Sequence, residues 1–210
     1  GDEFMAVKPY LGTLVPPTHA PPDDPSAPDA ELELEFVMGY RSFDCRNNLV
    51  FTRDGQVAYH TAALGIVYDP ARHAQRFMHE HVDDIVSFAA HPDGAHMATG
   101  ELGARPRLVV WDASSPDLAT ASVLPQSFKR SVQQLGFSPD GELLAGVGGD
   151  DNQTVVVFDW KAGRELFRSR SDRAKVLALA WGSPDEFALC GVKMIKFFKR
   201  EASRGKQVVK

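Results

Sequence analysis

The sequence predicts an all-β chain in which one four-stranded unit recurs about four times. Three observations lead there. From Glu31 onward, apolar residues recur with a period of two, as in Glu31-Leu32-Glu33-Leu34-Glu35-Phe36, which is the pattern of a half-buried strand rather than a helix. An aromatic residue followed by a charged one closes a short apolar run at Tyr68-Asp69, Trp111-Asp112, Phe158-Asp159 and Phe198-Lys199, at spacings of 43, 47 and 40 residues. A Pro-Asp turn signal runs in step with it: His91-Pro92-Asp93-Gly94, Ser138-Pro139-Asp140-Gly141 and Ser183-Pro184-Asp185-Glu186 lie 47 and 45 residues apart. A repeat of ~40–45 residues carrying short strands that end in aromatic-Asp is the sequence signature of WD40-type β-propeller blades.

The elements follow in order. Gly1-Asp2-Glu3-Phe4 reads as a tag remnant before Met5. Residues 5–30 read as a Pro-rich arm: Val7 to Val15 is a short apolar piece able to dock in extended form, and Pro16, Pro17, Pro21, Pro22, Pro25 and Pro28 make the remainder a linker of polyproline character. Residues 31–69 hold the first unit, with strands over Glu31 to Phe36, Gln56 to His60 and Leu64 to Tyr68, and a turn at Asp54-Gly55. Residues 70–210 hold the later blades. Each has an apolar first strand (Ile85 to Ala90; Val132 to Phe137; Val176 to Trp181), then the turn, then a second strand of small residues (Ala95 to Thr99; Leu143 to Val147; Phe187 to Gly191) that lets neighbouring blades approach. Pro70 to Gln75 is expected to form one helical turn, and the outer strand of the last unit is not legible. One blade cannot bury both of its faces, so blades must stack.

Composition sets the function classes. Hydrophobic residues are 43% and charged residues 24% of 210, which suits a buried core. No apolar run approaches the ~20 residues of a membrane helix, and no secretory pattern is present. Neither a membrane nor a nucleic acid is an expected partner. Cys45 and Cys190 are too few for a disulfide framework and are expected to be reduced, buried thiols of an intracellular protein. The net charge of −5 conceals an asymmetry: residues 1–160 carry 10 Lys/Arg against 23 Asp/Glu, whereas residues 161–210 carry 13 against 5. A basic end on an acidic body steers acidic partners, or is simply a solvated edge.

No motif announces chemistry. Gly146-Val147-Gly148-Gly149-Asp150-Asp151 lacks the lysine and the strand-to-helix setting of a phosphate loop, and no alternating acidic run forms a Ca²⁺ loop. His79 and His81 share a face at strand spacing, but no third ligand accompanies them, so neither metal nor cofactor is expected. The two cysteines have no activating His nearby in sequence, and an enzyme is not expected. His81 instead stands where WD repeats carry a structural His. With Thr99 and Trp111 it matches three members of the hydrogen-bonded tetrad that ties such a blade together, a His–hydroxyl–indole relay inside the sheet. Phe128 and Asp172 take that place in the next two units, leaving the tetrad incomplete there. Asn47-Asn48 is expected to shape a tight bend, and Arg41 and Arg46 to pair with Asp44 or Glu35.

The stretch Leu32-Glu33-Leu34-Glu35-Phe36, then Gly39-Tyr40-Arg41, then Asp44-Cys45-Arg46-Asn47-Asn48-Leu49 resembles the HELP motif (hydrophobic EMAP-like protein motif) of the echinoderm microtubule-associated protein-like (EML) family. His81-Val82-Asp83-Asp84-Ile85, Ala98-Thr99-Gly100, Trp111-Asp112 and Cys190-Gly191-Val192-Lys193 extend the likeness over about Val7 to Lys199, while Phe36 stands where the family commonly has Trp. The resemblance implies a non-catalytic propeller module that binds tubulin or microtubules and other cytoskeletal proteins, in the cytoplasm on the cytoskeleton, in a cilium or flagellum, or at a centriole. The alternative it leaves is a scaffold for non-tubulin partners in a centriolar or signalling assembly. Asp83, Lys129, Arg130, Lys196, Lys199 and Arg200 are the candidate tubulin contacts. The family's first propeller takes about seven units, so four imply a piece of a longer chain. Its open edges, with Phe187, Leu189, Phe197 and Phe198 too apolar to face water together, invite homo-association.

Overall fold

The computed structural model describes residues 15, 17–20, 22–27, 29–203 and 206–209, with only the backbone for 201–203 and 206–209. The expected tag remnant and most of the Val7–Val15 arm lie outside these residues. The chain divides into two units, residues 1–34 and 35–210. The described part of the first has no strand or helix, in keeping with prolines that cannot donate to a ladder. Every strand belongs to the second.

The described residues of that unit are all-β and form four blades of antiparallel strands. The first blade is β1 (Leu49–Phe51), β2 (Val57–Thr61), β3 (Leu64–Asp69) and β4 (Ala74–Met78). The second is β5 (Ile85–Ala90), β6 (His96–Gly103), β7 (Leu108–Asp112) and β8 (Thr120–Val123). The third is β9 (Arg130–Phe137), β10 (Leu143–Gly148), β11 (Thr154–Asp159) and β12 (Arg164–Arg170). The fourth is β13 (Val176–Ser183), β14 (Glu186–Gly191), β15 (Met194–Ser203) and β16 (Lys206–Val209). Leu102 and Gly103 at the end of β6 pair with Ser131 and Arg130 of β9, so the two middle blades share one continuous sheet. The aromatic-Asp pairs close β3, β7 and β11 as expected, whereas β15 runs five residues past Phe198 and pairs with β16, supplying the outer strand the sequence did not disclose.

Two expected elements do not form. Residues 31–48 contain no strand. The alternation at Glu31 to Phe36 finds no partner strand, and the backbone of Val37 is bonded instead by the Gln75 side chain. Pro70 to Gln75 is not helical: Asp69 Oδ1 accepts from the amides of Ala71 and Arg72 at 3.0 and 3.2 Å, and β4 starts at Ala74. The Asx turn satisfies the amides that a helix would have needed.

The core comprises three apolar layers, each lying between two successive blades. Ala58, Val67 and Met78 of the first blade meet Ile85, Phe88, Met97, Val109 and Trp111 of the second. Ala89, Ala98, Leu108 and Val110 of the second meet Val132, Leu135, Leu144, Val156 and Phe158 of the third. Ala145, Val147, Val155 and Val157 of the third meet Val176, Phe187, Leu189 and Phe198 of the fourth. Small residues set the spacing. A Cβ on Gly100 would lie 2.5 Å from Val132 Cβ, and one on Gly136 would lie 2.6 Å from Leu179 Cδ2. Hydrogen bonds cross the same seams: Ser87 Oγ donates to the Val132 carbonyl at 2.6 Å and Trp181 Nε1 to the Gly136 carbonyl at 2.8 Å.

The last blade does not place Phe187, Leu189, Phe197 and Phe198 on one open edge, as expected of residues too apolar to face water together. Successive residues of a strand point to opposite faces. Phe198, Phe187 and Leu189 are therefore buried against the third blade, while Phe197 and Ile195 are each 66% exposed on the far side. Cys190 is exposed as well, correcting the expectation of two buried thiols; Cys45 is buried and both are free.

Trp111 is fully buried between the first two blades, where a Cβ on Gly65 would lie 3.1 Å from its Cζ2. Trp111→Ala should cost about 3–5 kcal/mol in urea unfolding. Trp111→Phe should cost less than half of that, because Nε1 has no hydrogen-bond partner among the described residues. Equal losses for the two variants would show that the indole N–H is bonded after all.

Candidate functional site

The segment before β1 folds into a polar knot. Gly39 adopts φ +136°, open to glycine and strained for any other residue, and Asn47 turns the chain at φ 56°. Between them, Tyr40 Oη donates to Asn48 Oδ1 at 2.5 Å and Asn48 Nδ2 donates to the Arg41 carbonyl at 2.7 Å, closing the loop on itself. Arg41 is 8% exposed and sits at the centre. Its Nε and Nη2 donate to the two carboxylate oxygens of Asp44, each at 2.8 Å, and its Nη1 donates to Asp84 Oδ2 at 2.6 Å. The Asp44 carboxylate, seconded by Asp84, holds the guanidinium well above its ordinary pKa. Arg46 pairs with no acid among the described residues; its Nη1 donates to the carbonyls of Ser42 and Cys45. Glu35 takes no part in an ion pair among the described residues.

This knot joins the first blade to the second. Asp84 immediately precedes β5, and Cys45 Sγ donates to the Val86 carbonyl within β5 at 3.1 Å. Between those two points the Ile85 amide donates to the Ala62 carbonyl of the β2–β3 turn at 2.8 Å. The Cys45 thiol is pushed up to about 11 by burial and by Asp44, the opposite of what a nucleophile needs. Residues 36–40 meanwhile lie across the outer face of the first blade. Phe36 packs on Tyr68 and His73 at 6.2 and 5.0 Å, and Tyr40 on Tyr59 at 6.2 Å. Gln75 clamps Val37 from both sides: the Val37 amide donates to Oε1 at 2.7 Å, and Nε2 donates to the Val37 carbonyl at 3.1 Å. Sequence reading missed Gln75 and Asp84. Their only signals were an amide on a strand and an acid repeated at Asp83-Asp84.

The second polar group lies inside the second blade. His81 Nε2 is 2.7 Å from Thr99 Oγ1 and Nδ1 is 2.8 Å from Glu101 Oε2. Burial holds His81 below its ordinary pKa, so the ring is neutral, Nδ1–H donates to Glu101 and Nε2 accepts the Thr99 hydroxyl. Both ring nitrogens are thereby engaged inside the sheet, where the His81 side chain has no exposure through which an ion could enter. Glu101 also accepts from the amides of Val82 and Arg107, at 3.1 and 2.9 Å. The relay thus runs Glu101–His81–Thr99 and does not continue to Trp111, whose Nε1 is without a partner among the described residues. In the third blade Phe128 is buried against Phe158 instead, and in the fourth Asp172 caps the amides of Arg173 and Ala174.

The candidate partner contacts fall into two groups. Asp83, Lys129 and Arg130 gather where β6 meets β9; a Cβ on Gly103 would lie 3.6 Å from Asp83 Oδ2, and Gly103 pairs with Arg130. Lys129 is exposed, and Arg130 pairs with Asp151 at 2.5 Å. Lys196, Lys199 and Arg200 lie on β15 but do not share a face. Lys196 bonds the Ser171 carbonyl and lies 3.4 Å from Asp172, bridging the third and fourth blades. Lys199 is exposed on the far face, and Arg200 lies 3.8 Å from Asp185.

Two outcomes follow from this geometry. Arg41→Lys keeps the charge but loses the fork that spans Asp44 and Asp84, and should lower stability by about 2–3 kcal/mol in urea; a change below ~0.5 kcal/mol would mean the knot contributes nothing to holding the blades together. His60 is fully buried and stacks with Phe88, with both ring nitrogens unpartnered among the described residues. Burial, aided by Arg41 and His81 and opposed by Asp44 and Asp84, lowers its pKa from 6.5 to about 4. Between those values the unfolded chain binds a proton that the folded chain does not. Stability present above pH 6.5 should therefore fall on acidification, by on the order of 3 kcal/mol at pH 4. Urea midpoints measured across that range should fall less steeply for His60→Leu, and identical slopes would remove His60 as the cause.

Comparison with known proteins agrees with this arrangement. The HELP motif family matches residues 27–66, which contain Arg41, Asp44, Cys45 and Asn48 of the knot, β1, β2 and the start of β3. Echinoderm microtubule-associated protein-like 2 of Mus musculus is 32% identical over 88% of this chain and 30% of its own length. The 77 kDa echinoderm microtubule-associated protein of Lytechinus variegatus is 35% identical over 72% of this chain and 24% of its own. Ciliary WD repeat-containing protein ctxp80 of Euplotoides octocarinatus is 29% identical over 88% of this chain and 28% of its own. The chain spans less than a third of the length of each of these relatives. With its HELP motif at the head of a series of WD40-type blades, the chain belongs to the echinoderm microtubule-associated protein-like family.

Proposed function

We propose that this chain is a non-catalytic interaction module that binds tubulin or microtubules, acting on the cytoskeleton or in a cilium. The observation that carries the reading is the rigid joint of Arg41, Asp44, Cys45 and Asn48, which fixes the first two blades as one body and so holds their loops in place for a partner. Membership of a family named for microtubule association, and a relative named as ciliary, support the class of partner. In this reading residues 31–69 and 70–210 act together, with residues 5–30 as a leading arm. Catalysis is disfavoured by the chemistry of the site: the Cys45 thiol is raised and His81 is fully engaged by Glu101 and Thr99.

The basic C-terminal part, together with Lys129 on the third blade's approach to β9, supplies the attraction for an acidic partner. Lys129, Lys193 and Lys199 are exposed and take no part in an ion pair among the described residues, so they are the positions to reverse. Lys196 is not, because a Glu there would face Asp172 and loosen the seam between blades. Co-pelleting with polymerised tubulin and pull-down of soluble tubulin should both show binding that weakens several-fold between ~50 and ~200 mM salt, and again in the triple Lys→Glu variant. Binding that ignores both changes would move the contact to the uncharged loops. Absence of binding in both assays would favour a scaffold for non-tubulin partners in a centriolar or signalling assembly.

A further inference from the structure

We propose that the turn between β5 and β6 binds a divalent transition-metal ion through His91, Asp93 and His96. One ligand atom from each of the three side chains lies within 4.8 Å of the others. His91 Nδ1 is 3.0 Å from Asp93 Oδ1, and His96 Nδ1 is 2.7 Å from Asp93 Oδ2. Two imidazoles thus converge on the two oxygens of one carboxylate.

The surroundings hold each of the three side chains in place. His91 Nε2–H donates to the Gly141 carbonyl of the third blade at 2.9 Å, and Nδ1 accepts the Asp93 amide at 3.1 Å. The Nδ1 lone pair therefore faces Asp93 and holds its amide, a bond an entering ion replaces, while the second nitrogen is anchored to a backbone carbonyl, the usual outer support of a metal-bound imidazole. Asp93 is oriented by the amides of Ala95 and His96, which donate to Oδ1 at 2.8 and 3.0 Å. Oδ2 is left to His96. Phe137 and Trp160 wall the rings, with centroids 5.0 and 5.5 Å from that of His91. The side chains of His91, Asp93 and His96 are 11%, 35% and 28% exposed, so the cluster opens to solvent on one side and leaves room for water ligands.

The other blades supply an internal control. The same turn in the third blade carries Ser138, Asp140 and Leu143, with Ser138 Oγ donating to Asp140 Oδ1 at 2.6 Å. In the fourth blade the turn is shorter, and the register puts Glu186 at the place of His96 and Leu143. The third-blade turn forms around its Asp with a hydroxyl on one side and an aliphatic residue on the other. The two imidazoles of the second blade are thus additional to what the fold needs.

Two imidazole nitrogens and one carboxylate oxygen select Zn²⁺, Co²⁺, Ni²⁺ or Cu²⁺ over Mg²⁺ or Ca²⁺, which prefer oxygen ligands throughout. Binding through His96 Nδ1 moves the proton that Nδ1 gives to Asp93 Oδ2 onto Nε2 by way of solvent, so the imidazole stays neutral and its Nδ1 lone pair goes to the ion. Because His91 also grips Gly141, the ion would stiffen the seam between the second and third blades.

The test uses the whole 210-residue chain after chelation and removal of the chelator. Calorimetric titration with Zn²⁺ should give one site, and a hundredfold excess over Kd should raise Tm by about 5–10 °C. His96→Leu, which installs the residue found at this place in the third blade, should weaken Zn²⁺ binding more than about tenfold. It should leave the metal-free melt near that of the parent, and His79→Ala should change nothing. Should His96→Leu melt early, His91→Ser gives the same reading. Absence of heat and of any Tm shift with Zn²⁺, Co²⁺ and Ni²⁺ would overturn the proposal. So would binding that persists undiminished in both His96→Leu and Asp93→Asn, since the ion would then sit on other histidines.

Discussion

A four-stranded antiparallel blade rich in Val, Leu, Ala and Phe is apolar on both faces, and it can bury both only between two neighbours. The rest of this structure follows from that constraint. The three apolar layers coincide with the three seams between successive blades, and no blade has an apolar core of its own among the described residues. Small residues of the first and second strands serve the same end. Gly100 and Gly136 let facing backbones close to a distance at which Ser87 and Trp181 reach carbonyls across the seam. Polar groups in these seams are bonded across them, so burying them costs little. The exceptions among the described residues include His60 and Trp111, whose nitrogens have no partner, with Gln133 Oε1 and Ser171 Oγ.

The two ends of the series meet the constraint differently. At the start, residues 36–40 lie over the outer face of the first blade, with Phe36 on Tyr68 and Val37 clamped by Gln75. The knot that follows reaches past the first blade and grips β5 through Asp84 and Val86. One short segment therefore covers one face and fastens the next seam, a physical reason for a compact HELP motif at the head of the blades. At the other end, Ile195 and Phe197 present an apolar face to solvent. The basic residues of β15 divide between the two faces: Lys196 serves the inner seam and Lys199 the outer surface.

Much of this was legible in the sequence because it is carried by period and spacing. The aromatic-Asp pairs located β3, β7 and β11, and the Pro-Asp signals located the turns that follow the first strands. The polar bend at Asn47-Asn48 was legible too, since two amides in succession suit a turn better than a ladder. The failures have physical causes. The alternation of Glu31 to Phe36 is the same whether or not a partner strand exists, and here none pairs with it. The helical turn at Pro70 to Gln75 lost to the Asp69 side chain, which satisfied the free amides first. The partners of Arg41 and His81 that come from distant sequence, Asp84 and Glu101, could not be read from spacing. Glu101 takes the acidic place beside His81, while the indole of Trp111, paired with the hydroxyl in sequence, turned out to be a packing group. The distribution of Phe187, Phe197 and Phe198 over two faces needed the strand register, which composition does not contain.

The central claim is that the knot around Arg41 makes the first two blades a single cooperative body. Native-state hydrogen exchange measures this most directly, because it reads the opening free energy of each strand separately. The amides of β2, β3, β5 and β6 should open together with one free energy in the parent chain, and in Arg41→Lys β2 and β3 should open before β5 and β6. Opening of the first blade ahead of the second in the parent chain itself would contradict the claim.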